Sequence, residues 1–195
     1  EELSVNGVYD AANADGQFGK SLDGIKQIIL NILADVDHPG FKIPLSVLTD
    51  TNIVDQVTLF ERSFPSKMKK KIKKIFMSEN NAERYVIQYE EQFGQNKFQN
   101  DVLKTRLGKR EIVVLPGLDD DTIFATIERN LVKLIDKIDN PPKVTSIQVQ
   151  DYKVKVFMEF WKGYDFWINE LVYIANYADA EYGLGDLAKN QKYYD

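Results

Sequence analysis

The chain has 195 residues, of which 44% are hydrophobic and 28% charged, and its net charge is −5. This composition is typical of a globular protein, and no apolar run approaches the ~18–20 residues that cross a bilayer. The absence of cysteine excludes disulfides, thiolate metal sites and cysteine nucleophiles. The chain opens at Glu1 rather than Met. If processing explains that start, we expect an extracytoplasmic location, whether periplasmic, lumenal or secreted.

The first residues predict an extended N-terminal arm. Residues 1–19 are polar and rich in glycine, with only a brief alternation of apolar side chains. Ser21 is a plausible N-cap for a helix whose apolar residues recur at helical spacing up to Val36. We therefore divide the chain into an arm (1–20) and a single domain (21–195).

The middle of the chain predicts further helices. Their approximate ranges are 51–62, 66–77, 80–107 and 121–138, with breaks at proline, glycine and asparagine. The run from Glu111 to Leu115 is the one credible internal strand.

The C-terminal region predicts the longest helix, over about 147–179. Apolar side chains fall there at steps of three or four: Val149, Tyr152, Val156, Phe160, Tyr164, Trp167, Leu171, Ile174 and Ala178. The segment Lys153–Val156 alternates as a strand would, but the alternation fails at Phe157, whereas the helical stripe continues. The sequence therefore predicts an all-α fold, a helical bundle of about four core helices plus short helices, with the extended arm.

A cluster of lysines is the first candidate surface. Six positive charges fall within eight residues, on Lys67, Lys69, Lys70, Lys71, Lys73 and Lys74, and the rest of the chain carries −11. Met68, Ile72, Ile75 and Phe76 would form the apolar face of the same helix. Such a basic helix binds an acidic protein or an anionic membrane surface, or is simply a solvated face. The acidic net charge and the scarcity of arginine argue against nucleic acid.

A second candidate surface is aromatic. Six aromatic side chains occur within eleven residues: Phe157, Phe160, Trp161, Tyr164, Phe166 and Trp167. One helix face cannot bury all six. Some are therefore expected in the core, and the others at an interface or against an apolar ligand.

A third candidate is the segment Ala14–Ser21, which comes close to a phosphate loop. Gly16, Gly19, Lys20 and Ser21 would cradle and contact phosphate at the start of a helix. A phosphate loop follows a buried strand, however, and the preceding residues do not resemble one. The alternative interpretation is a glycine turn before a capped helix.

The chain carries no complete catalytic or metal-binding motif. His38 is the single histidine, so no histidine cluster can bind a metal, and Asp119, Asp120 and Asp121 are explained by capping of a helix N-terminus. We therefore expect no cofactor, no metal and no enzymatic activity.

The function that these features favour is protein–protein docking. In overall build the chain resembles helical accessory subunits, including extrinsic subunits of larger membrane-associated assemblies, and an acidic protein is the expected partner of the lysines. Two alternatives stay open: a nucleotide-binding enzyme that uses Ala14–Ser21, and a carrier of an apolar ligand inside the bundle.

Overall fold

A computed structural model describes residues 2–12, 19–94, 102–134, 143–150, 153–159, 163–178 and 180–185. The helices are α1 (Glu2–Asn6), α2 (Ile25–Ala34), α3 (Ile53–Arg62) and α4 (Glu79–Phe93), with a 3-10 turn at Asn169–Leu171. The strands are β1 (Phe41–Pro44), β2 (Lys74–Met77), β3 (Glu111–Val114), β4 (Phe124–Thr126), β5 (Leu131–Leu134), β6 (Lys143–Gln150), β7 (Lys153–Glu159), β8 (Gly163–Phe166) and β9 (Val172–Asn176).

Five strands form a mixed sheet in the order β1-β9-β4-β2-β3. The outer pairs, β1 with β9 and β2 with β3, are parallel, whereas β4 is antiparallel to both of its neighbours. Two further pairs, β5 with β8 and β6 with β7, are separate antiparallel ribbons. The prediction of an all-α bundle is therefore wrong, because the described residues form a mixed α/β structure around a sheet.

The sheet is covered on both faces. Successive residues of a strand point to opposite faces, and β9 shows this clearly: Tyr173 and Ala175 join one hydrophobic cluster, Val172 and Ile174 the other. Residues of α3 and α4 complete the first cluster. The second contains residues of α2, together with Val5 of α1. A strand buried on both faces reads as a continuous apolar run, which explains the composition of β9.

The helix predicted over 147–179 is wrong. Strands β6 to β9, with the 3-10 turn, occupy the described part of that range. The segment is dense in Val, Ile, Phe, Tyr and Trp, which favour strands. With so many apolar residues, a stripe at steps of three or four can be drawn through consecutive strands by coincidence. The alternation at Lys153–Val156 was the correct signal.

Three other predictions need correction. In the range 121–138, predicted as a helix, the described residues 121–134 contain β4 and β5 and no helix. The helix predicted to follow Ser21 is α2, which begins at Ile25 with Gly24 and not Ser21 at its N-cap position. The arm predicted over 1–20 contains a helix, α1, which packs against α2. Helices α3 and α4 and strand β3 confirm the corresponding predictions, although α4 ends at Phe93 and does not continue to residue 107.

Candidate functional site

The lysine cluster lies on turns and on the start of a strand, so the predicted basic helix is wrong. The backbone carbonyl of Pro65 accepts hydrogen bonds from the N–H groups of Met68 and Lys69, at 2.9 and 3.0 Å. A second turn follows, in which the carbonyl of Met68 accepts from the N–H groups of Lys71 and Ile72, before β2 begins at Lys74. Because β2 lies between β4 and β3, sheet pairing on both sides overrides the local helical pattern. We call residues 65–73 the lysine turn.

A buried ion pair attaches the lysine turn to the body of the protein. The guanidinium of Arg110 pairs with the carboxylate of Glu61 in α3, and both side chains are at least 95% buried. The Nη2 atom of Arg110 donates a hydrogen bond to the backbone carbonyl of Lys69 at 2.6 Å. The same guanidinium lies 5.1 Å from the ring centre of Phe64. One side chain thus connects α3, the lysine turn and the start of β3.

A cleft of about 510 Å³ opens beside the lysine turn, and most of its charged lining is basic. Its basic side chains are Arg62, Lys69, Lys70, Lys73, Lys109 and Arg110. Glu61 is the one carboxylate in the lining, and Arg110 already pairs with it. The surface beside the lysine turn therefore keeps a concentrated positive charge.

Only the last two lysines of the cluster are paired within the described part of the chain. The Nζ atom of Lys73 lies 2.9 Å from Glu128, and that of Lys74 lies 3.6 Å from Glu111. Lys67, Lys69, Lys70 and Lys71 make no ion pair with any described residue.

Strands β6 and β7 form a second exposed surface, which the helical interpretation of the sequence missed. In this β6–β7 ribbon, Ile147 lies opposite Val156, and Val149 lies opposite Val154. These four residues share one face, because side chains alternate along each strand. The register shifts between Val144 and Ser146, as in a β-bulge.

The apolar face of the ribbon is uncovered. Val149 is 78% exposed, Val154 66% and Ile147 64%, and Val156 is also exposed. Among the described elements, β6 and β7 pack extensively only against each other. Contiguous apolar surface of this kind is uncommon on a monomer and is typical of an interface. The alternation on both sides of residues 151–152 is the sequence signal that predicts this ribbon.

The predicted aromatic group is divided between core and surface. Phe166 is buried in the second cluster, where its ring lies edge-on to Phe124 with the ring centres 6.4 Å apart. The hydroxyl of Tyr164 donates a hydrogen bond to Ser4 at 3.2 Å, and Trp167 is 75% exposed. Phe160, Trp161 and the side chain of Phe157 lie outside the described residues. The aromatic residues that the structure does describe do not form one continuous belt.

The segment that resembles a phosphate loop lacks the preceding strand. The described residues before it contain the helix α1 and irregular chain but no strand, and the Nζ atom of Lys20 lies 3.1 Å from the carboxylate of Asp10. Ser21 precedes the first residue of α2 by four positions. Gly19 has a positive φ of 90°, as in a glycine turn, and Gly16 lies outside the described residues.

The three aspartates precede a strand and not a helix, yet Asp120 reaches the N-terminus of α4. Its carboxylate accepts hydrogen bonds of 2.6 Å from both Ser78 and Asn80. Ser78 is also the N-cap of α4 and accepts from the N–H of Asn81. The hydrogen bond from Ser78, followed by the one from Asn80, lowers the pKa of Asp120 despite partial burial. Within the described ranges, no three His, Asp or Glu side chains are grouped as a metal site would require.

No helix in the described part of the chain is long and apolar enough to span a membrane. The helical-bundle interior, on which the hypothesis of an apolar-ligand carrier depends, is also absent from the described residues, since the core lies on the two faces of a sheet.

Comparison with known proteins gives a fold and no family. Neither a protein-family model nor a curated protein sequence matches the chain. Among solved structures, the chain is similar to a chain of the satellite phage P4 procapsid including size determination (Sid) protein, with a TM-score of 0.53 and 11% identity. The match covers 90% of this chain and 55% of the other, so this chain corresponds to just over half of its neighbour's length. At this identity the similarity shows a shared fold and nothing further.

Proposed function

We propose that this chain is a structural subunit that associates with further copies of itself into a protein shell. The exposed apolar face of the β6–β7 ribbon is the observation that carries this proposal. An isolated two-stranded ribbon is only marginally stable in water. Covering its apolar face would stabilise the ribbon and join two subunits in one step.

The energy available supports an interface of this kind. Full burial of an exposed Val or Ile contributes about 1.5–3 kcal/mol, before the entropy of association is subtracted. Ile147, Val149, Val154 and Val156 supply four such side chains on one face. Burial of these four side chains by a neighbouring copy therefore contributes more free energy of association than burial of a single exposed apolar residue would.

The fold similarity supports the kind of assembly. The similar chain belongs to a procapsid, which is a shell of many protein copies. A shell subunit acts by docking and needs no catalytic site, in agreement with the function expected from the sequence. The non-enzymatic role and the extracytoplasmic location stay predictions.

Self-association measured by sedimentation velocity tests the proposal. We expect the wild-type protein to form large assemblies as its concentration rises. A variant with Ile147, Val149, Val154 and Val156 replaced by Thr should stay monomeric, because threonine keeps the strand propensity but removes apolar surface. Ser146→Thr with Gln148→Thr changes the other face of the ribbon and is the matched control, which should assemble as the wild type does.

Two results would overturn the proposal. One is a wild-type protein that is monomeric at every concentration. The other is a four-threonine variant that assembles as the wild type does. Circular dichroism of the variants establishes that the sheet is retained.

A further inference from the structure

Helix α4 carries acidic side chains that no described residue neutralises. Glu79 and Glu83 are exposed and one helical turn apart, so they lie on the same face of the helix. No ion pair within the described ranges includes either one. Two unpaired charges of the same sign on one helix face can form an electrostatic contact with a surface of opposite charge.

The two glutamates border an apolar groove of about 540 Å³ between α4 and β3. The apolar lining is Ala82, Val86, Ile87, Leu103 and Val114. Ile87 is 58% exposed, and β3 is the edge strand of the sheet. The groove thus combines an apolar floor with an acidic margin, and we call it the acidic groove.

The lysine turn has the complementary composition. Lys70 and Lys71 are exposed and unpaired among the described residues, and the neighbouring Leu107 is an exposed apolar side chain in the basic cleft. The lysine turn precedes β2, whereas Glu79 follows it. The two charged groups therefore flank opposite ends of one strand, which spans roughly 13 Å at the usual rise of ~3.3 Å per residue.

We propose that the lysine turn of one copy docks into the acidic groove of the next copy. This inference rests on the proposed self-association and identifies a second contact, distinct from the ribbon. The two surfaces differ, so the contact is head-to-tail and repeats from copy to copy, which generates a ring or an extended array. Complementary charge then fixes which surfaces meet and accelerates their encounter.

Charge reversal followed by charge exchange tests this contact. Lys70→Glu with Lys71→Glu should weaken self-association by about tenfold or more, because like charges then face each other. Glu79→Lys with Glu83→Lys should weaken it similarly. The chain that carries all four substitutions should recover association, since the charges are complementary again. Lys20→Glu with Lys133→Glu is the matched control: it changes the charge as much as the lysine reversal does, neither side chain lines the basic cleft or the acidic groove, and it should not weaken association.

The salt dependence gives a second measurement. Raising the salt concentration from about 0.05 to 0.5 M should weaken self-association of both the wild type and the four-substitution chain, because salt screens the attraction between exposed charges. Thermal melting of each variant establishes that the fold is retained, so loss of association cannot be attributed to unfolding.

The outcomes separate this inference from the proposed function. A monomeric wild type overturns both. If the wild type assembles and the ribbon variant does not, but both charge reversals assemble normally, the head-to-tail contact is wrong and the shell function stands. Failure of the four-substitution chain to recover association also overturns the contact. The contact is also overturned if the lysine reversal abolishes binding of double-stranded DNA but leaves self-association unchanged.

Discussion

The five-stranded sheet and the β6–β7 ribbon use the same residue types in opposite environments. In the sheet, the apolar residues of β9 are buried on both faces by helices and neighbouring strands. In the ribbon, Ile147, Val149 and Val154 face outward with more than half of their surface exposed. Valine and isoleucine therefore pack into the core in one region and are left exposed in the other. Substitutions in the body of the protein should therefore lower the free energy of unfolding more than substitutions in the ribbon.

The buried pair of Glu61 and Arg110 should give the largest effect. Arg110→Met leaves the Glu61 carboxylate buried without its partner, which typically costs about 3–5 kcal/mol. Adding Glu61→Leu removes the isolated charge and should recover most of that loss. Urea denaturation of the two variants measures both values. If Arg110→Met were as stable as the wild type, the ion pair would contribute nothing to the free energy of unfolding.

Gly24 should give the next largest effect, because the backbone of the N-terminal segment lies against it. A Cβ at this position would lie 2.5 Å from the carbonyl carbon and oxygen of Val5, and 2.7 Å from the nitrogen of Gly7. Gly24→Ala should therefore destabilise the protein by about 1–3 kcal/mol. Gly163→Ala is the control. Its Cβ would lie 3.6 Å from Leu134, an ordinary van der Waals distance, so this substitution should change stability by less than about 1 kcal/mol. Equal melting temperatures for the two variants would contradict this prediction.

The Asp120 network should give a smaller and pH-dependent effect. Asp120→Asn should destabilise the protein at pH 7 by about 1 kcal/mol, because asparagine cannot accept from Ser78 and Asn80 with two carboxylate oxygens. Folding lowers the pKa of Asp120 below the ordinary aspartate value of 3.8. The contribution of Asp120 to stability is therefore present above pH 3.8 and is lost as the pH falls through the pKa of the folded state. Denaturation at pH 7 and at pH 3 should show the difference between wild type and variant shrinking in acid.

Single substitutions in the ribbon should give the smallest effect on the monomer. Val149→Thr or Val154→Thr removes little packing, so the free energy of unfolding at low concentration should change by less than about 0.5 kcal/mol. The same substitutions should still weaken self-association. A loss of several kcal/mol in the dilute monomer would mean that the ribbon's apolar face is covered within one copy.

The sequence predicted helices α3 and α4 and strand β3 because their apolar spacing and flanking turn residues agree. The sequence-based predictions failed where packing against distant parts of the chain determines the local structure. The range 66–77 has the apolar spacing of a helix, but Ile75 and Met77 are buried in a strand between two other strands. The exposed ribbon was missed because its alternating residues lie within a segment in which most positions are apolar. The exposed lysines could be predicted from the sequence because their charge alone identifies them. The acidic groove could not, because it depends on how α4 packs against β3.

The position of β9 determines when this chain can fold. In the sheet β9 lies between β1 and β4, so Phe41 pairs with Tyr173 across more than 130 residues of sequence. During synthesis, the sheet cannot close until β9 has left the ribosome. Such distant pairing closes a long loop and slows folding. A fragment that stops before Val172 would expose unpaired edges on β1 and β4, which promote aggregation. Addition of β9 is thus the step that completes the five-stranded sheet.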